Sequence, residues 1–222
     1  MVGTVVVLGV LAGGAFVADG VVRERTETEL ADGLRTQIAG LEETPDVTID
    51  GFPFLTQVLA GELDDVRITA SSVTVEGLPL HDVVVHLHGV STDRPTTADR
   101  ATMTGHARLA DLTGMLAIDA DLTVEGDHLV ASTSVLGLPV QVALAPRPAG
   151  RAIEADVVSF SLGGVQVDAA DLPSRLVDQV QGVSVPVDGL PEGLELTGIT
   201  LTPDGVDLEA GGTDVVLATP SG

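Results

Sequence analysis

The chain has 222 residues, enough for one sizeable domain and an appendage, with a net charge of −23 and 44% hydrophobic residues. The charge argues against nucleic acid, whose phosphates need clustered Lys and Arg, and against electrostatic docking on anionic head groups, while the hydrophobic content argues against a disordered acidic tail. No Cys and no Asn occur, which excludes disulfides, thiolate metal sites, a cysteine nucleophile and N-glycosylation.

The run from Val2 to Ala18 carries no charge. As a helix it would be about 25 Å long, just enough for a thin bilayer core. A cleaved signal peptide is the alternative, but no basic n-region precedes the run, and cutting after Ala18 would put the bulky Phe16 where a small residue belongs. Residues 1–18 are therefore expected to be an uncleaved transmembrane signal anchor. A single-pass protein of the cell membrane follows, its domain on the extracytoplasmic side. Arg23 and Arg25 follow the run instead of preceding it, against the positive-inside rule. A basic leader upstream of Met1 would reconcile the two.

Residues 19–41 read as an amphipathic helix. Leu30, Leu34, Ile38 and Leu41 recur at helical spacing, Arg and Glu fill the remaining faces, and Gly40 and Pro45 end the pattern. The expectation is a helix that leaves the membrane and lays one face on a sheet.

Next comes "DGFPFLTQVLAGELDDVRI" (50–68), where Gly and Pro predict a turn that nevertheless holds two of the chain's four Phe residues. From Val47 onward, short β-branched runs alternate with Gly, Pro and Asp, as in an antiparallel sheet protein. Strands are expected at 66–75, 81–90, 99–109, 121–126, 128–137, 138–146, 151–160, 164–167, 194–202 and 205–210. Two short helices are expected at 110–117 and 169–181. In "VRITASSVTV" (66–75), strict alternation would put Val66, Ile68 and Ala70 on one face and Val73 and Val75 on the other. An aliphatic face almost without aromatics suits a pocket for flexible acyl chains, although an ordinary core has the same composition.

Catalytic motifs are missing. No G-x-S-x-G elbow, P-loop, G-x-G-x-x-G or H-E-x-x-H is present, and nothing pairs a nucleophile with a base, so the reading is non-enzymatic with no cofactor. His86 and His88 would share a strand face near His81, but lack a further ligand. Asp119 and Asp121 do not form a calcium loop, and no metal site is expected.

At Gly51, Pro53, Phe54, Leu55, Gln57, Leu59 and Gly61 the chain resembles the G-x-P-F-L-x-Q-x-L-x-G element of the actinobacterial LmeA-like phospholipid-binding family. The closing "LPEGLELTGITLTPDGVDLEAGG" (190–212) is similar to that family's last strands, and the likeness spans most of 19–217. The resemblance implies an α+β fold: a membrane helix, then a strongly curved antiparallel sheet wrapping the amphipathic helix, akin to tubular lipid-binding domains. The organisation expected is an anchor at 1–18, a lipid-binding domain at 19–217 and a flexible tail at 218–222. The implied function is to bind phospholipid or another acyl-chain lipid and to support envelope lipid or lipoglycan assembly at the cytoplasmic membrane, without nucleic acid. Candidate lipid-binding residues are Phe52, Phe54, Leu55, Val58 and Leu59 in the greasy turn, with Leu34 and Ile38 on the helix. Two roles stay open for that turn: the lip of an apolar groove, or a plug for the end of the sheet. The alternative function is a structural envelope protein whose core is filled by its own side chains.

Overall fold

The computed structural model describes residues 2–38, 40–75, 77–115, 120–168, 183–187 and 189–217, and of residues 2–17 the backbone alone. Helix α1 (Val2–Gln37) runs without interruption through the apolar segment into the domain. Among the described residues no helix is long and apolar enough to cross a membrane, and the side chains of the expected anchor lie outside that set. The expected helix at 169–181 and the tail at 218–222 also lie outside it.

After α1 come β1 (Asp46–Asp50), α2 (Phe54–Ala60), β2 (Glu62–Val75), β3 (Leu78–Ser91), β4 (Thr97–Arg108) and α3 (Leu109–Met115). The chain continues through β5 (Asp121–Glu125), β6 (His128–Val135), β7 (Leu138–Ala149), β8 (Ala152–Leu162), β9 (Val165–Asp168) and β10 (Val183–Pro186), and closes with β11 (Glu192–Thr202) and β12 (Gly205–Val216). The ten expected strands and the helix at 110–117 are present, with β1 and β10 in addition.

The expected single curved sheet is instead two antiparallel sheets. The first has the order β1-β2-β3-β4-β12-β11, and the second β10-β8-β7-β6-β5 with β9 also on β8. Neither closes into a barrel. The chain leaves the first sheet after β4, builds the second, and returns so that β12 pairs with β4. The sheets meet at the β7–β8 turn. There the Leu196 N–H donates to the Gly150 carbonyl at 2.7 Å, and the Arg151 guanidinium donates to the carbonyls of Leu190, Pro191 and Leu194. Five donors in a planar fork let one Arg hold three carbonyls.

The relation of α1 to the sheet also differs from expectation. The helix lies against β1 and α2, and of its apolar stripe only Leu34 packs on the core, beside the buried Ala31. Leu30 and Ile38 are exposed, and Ile38 falls beyond the helix end. The inward face is instead set by polar contacts. β1 is an edge strand, and the Ile49 N–H that its sheet leaves unpaired donates to Glu27 Oε1 at 2.7 Å. A helix can thus dock on a strand edge with few apolar residues, because an unpaired buried N–H is costly and any acceptor there is favoured.

Strict alternation fails in β2 for a local reason. Asp82 has φ of +51°, and the β3–β4 register shifts between His81 and Val84. This bulge turns the far ends of β2 and β3, so Val73, Val75 and Leu80 join Ala70 and Val83 in one core cluster.

Candidate functional site

The inner face of the first sheet is aliphatic from edge to edge. One register row crosses Val66, Leu87, Ala101 and Gly212 to Leu194. The next crosses Ile68, Val85, Met103 and Ala210 to Leu196. In the first row Val66, Leu87, Ala101 and Leu194 are buried; in the second Ala210 and Leu196 are buried, while Ile68, Val85 and Met103 are only partly covered. β4 and β12 place Gly105 and Ala210 inward, and side chains this small leave a trough that their neighbours do not fill.

The trough narrows to an apolar cavity of about 80 Å³. Leu80, Met103, Leu196 and Leu208 form its floor and walls, and Val187 and Leu190 cover it. That volume equals roughly two to three waters, room for a few methylene groups. Sequence reasoning did not single out these residues; the recoverable signal was the spacing of small residues at inward positions of two strands that become neighbours only through β12.

The greasy turn divides between two roles. Phe54 is 1% exposed inside the main core, while Phe52 (64%) and Leu59 (88%) face outward with Leu55 and Val58. Phe54 is thus a plug for the end of the sheet, and Phe52, Leu55, Val58 and Leu59 form an apolar outer surface on α2. The structure brings Leu34 and Phe54 into the core and leaves Ile38 apart; none of the seven lines the cavity.

Asp19 holds the turn in place. It is 4% exposed, and its side-chain oxygens accept from Phe54 N at 2.9 Å and Leu55 N at 2.8 Å. The N-cap of α2 is Pro53, which offers no side-chain cap, so helix α1 supplies the acceptors that the first turn of α2 lacks. Gln57, also buried, donates to the Asp50 carbonyl at 3.2 Å and accepts from Asp64 N at 2.8 Å. Gln57→Ala should therefore cost about 1–2 kcal/mol in a denaturant titration, since it strands a backbone donor and acceptor. An unchanged midpoint would mean that water replaces both bonds.

Three of the five histidines stand beside a carboxylate. His81 lies 3.0 Å from Asp111, His106 lies 2.7 Å from Asp207, and His88 pairs with Asp65. His106 borders an open, carboxylate-rich cleft with Asp82, Asp204 and Glu209. Among the described residues no three His, Asp or Glu side chains form a group able to hold a metal ion.

A family model described as LmeA-like phospholipid-binding matches residues 17–211, most of the chain. No curated protein and no solved structure matches it.

Proposed function

Since the chain belongs to the LmeA-like phospholipid-binding family, we propose that it holds a phospholipid, or another lipid with acyl chains, with one chain along the open aliphatic row of the first sheet and its end in the cavity beneath Val187 and Leu190. The single observation that carries this reading is the apolar cavity of about 80 Å³ at Met103, beside which the partly buried Val85 and Ile68 lie in the same register row. Residues 2–18 tether the domain to the cytoplasmic membrane, and envelope lipid or lipoglycan assembly is the process served. The outward Phe52, Leu55, Val58 and Leu59 support that arrangement. They sit on α2 and, for Phe52, just before it, and Asp19 locks α2 to the first residues beyond the apolar run, so they would meet the membrane surface. The family is defined by binding, and the site on the sheet is aliphatic, which favours holding a lipid over transforming it.

Native mass spectrometry of the purified full-length chain tests the proposal. Phospholipid should be retained at up to one molecule per chain. Met103→Trp should lower that retention at least about tenfold, equivalent to roughly 1.4 kcal/mol, while leaving the thermal midpoint nearly unchanged. Equal retention by the two proteins would sink the site assignment, and no retention by either would sink the function.

A second reading, a structural envelope protein with a self-filled core, is favoured by the small size of the closed cavity. It expects no lipid in the same experiment, and a destabilised Met103→Trp.

A further inference from the structure

The second sheet carries an exposed apolar tip that the lipid site does not use. At one end of this sheet the β6–β7 connection is Leu136-Gly137 and the β8–β9 connection is Gly163-Gly164, with all four residues at positive φ. Two-residue loops with both central residues at positive φ are type I′ hairpin turns. They lie side by side: Val140 pairs with Leu162, and the Gly163 N–H donates to the Pro139 carbonyl at 2.9 Å. Leu136 is 99% exposed and Val165 69%, with Leu138 and Leu162 exposed beside them.

Two further observations set this tip apart from incidental surface leucines. The first turn position of a type I′ hairpin favours Asn, Asp or Gly, yet Leu136 occupies it at φ of +54°, a backbone region unfavourable for a branched side chain. Fold stability alone would select Asn there. The second is charge. In a chain of net charge −23, residues 129–146 and 157–167 contain no charged side chain. The opposite end of the same sheet is charged, with Glu125 and Asp127 at one turn and Arg147 bound to Glu154 and Asp156.

We propose that this double hairpin tip inserts into the interface of an electrically neutral lipid bilayer, giving the protein a membrane contact on the second sheet in addition to its lipid site on the first. The tip presents four aliphatic side chains, Leu136 on one turn and Leu138, Leu162 and Val165 at the strand ends beside the two turns. A stable protein partner would need roughly 20–30 residues a side, whereas a bilayer accepts an apolar point without matching its shape. Anionic lipid would be repelled by so acidic a chain, and the uncharged tip has no group to bind it, which selects a zwitterionic surface. The choice of lipid as partner rests on the phospholipid reading above.

The chain has no Cys, so Leu136→Cys carries a single environment-sensitive fluorophore, and Asp127→Cys places the same probe at the opposite end of the sheet. With the full-length protein and phosphatidylcholine vesicles, the probe at 136 should shift to the blue and be quenched by lipids bearing nitroxide on the acyl chain, while the probe at 127 does neither. Leu136→Asn suits the turn and should leave the thermal midpoint unchanged or raised. Placed in a Val165→Cys background, it should cut the quenching at 165 severalfold. Identical emission at 136 and 127 would overturn the proposal. So would a blue shift at 136 already present without vesicles, which would mean that the chain covers its own tip. In a Met103→Trp background, which blocks the site on the first sheet, the quenching at 136 should persist, so failure at the tip and failure of the lipid site are separable.

Discussion

Replacing Phe54 with Ala should lower stability by about 3–5 kcal/mol, the range for truncating a fully buried aromatic, because transfer energy is lost and a cavity remains. For a domain of this length each kcal/mol moves the midpoint by about 2–4 °C, so the thermal transition should fall by roughly 6–20 °C. The expectation follows from position. Phe54 is among the largest fully buried side chains and packs in one cluster with Ile49, Leu63, Val66 and Val215, where strands of the first sheet converge. Leu59→Ser, five residues on, removes a side chain that touches mainly solvent and should change stability by no more than about 0.5 kcal/mol. Paired calorimetric scans of these two variants decide the matter. A small change at Phe54 would mean that the end of the sheet collapses around the void, or that the turn is a movable lip.

The second large effect is expected at Asp19. Asp19→Ala removes both acceptors of the α2 first turn and leaves two N–H groups without partners in a buried place. Hydrogen bonds to charged groups contribute about 1.5–3 kcal/mol each and are not additive when they share an acceptor group, so a loss of about 3 kcal/mol is expected. Asp19→Asn keeps one oxygen and should lose about half as much. Denaturant titrations of the two variants provide the check, with amide exchange at Phe54 and Leu55 as a local readout. If both variants behave as wild type, α1 does not hold the turn. Asp19 thereby couples the helix that continues from the apolar run to the turn that carries Phe52 and Leu59.

Much of this molecule was legible in the amino-acid order. The β-branched runs between Gly, Pro and Asp located ten of the strands, since the period-two pattern and the turn residues act over a few positions and need no knowledge of partners. The G-F-P-F-L-T-Q element carried the family, and the family carried lipid binding. β1 was not singled out because "DVTID" is too short for its alternation to stand out from the turn that follows.

Tertiary structure alone decided the rest, and always where a residue's role depends on a partner far along the chain. Alternation in 66–75 could not foresee that Asp82 would bulge the neighbouring strand and turn Val73 and Val75 inward. Helical spacing chose Leu30 and Ile38 for the buried stripe. The edge of β1 instead asked for an acceptor, which Glu27 provides, because an unpaired backbone donor outweighs a modest apolar contact. The greasy turn appeared as one unit of five apolar residues, whereas packing buried Phe54 and left the others outside. The apolar trough was the least visible of all. Its small residues lie in β4 and β12, which are far apart in the sequence, and whether small inward side chains leave a cavity or are filled by their neighbours is settled only when those strands pair.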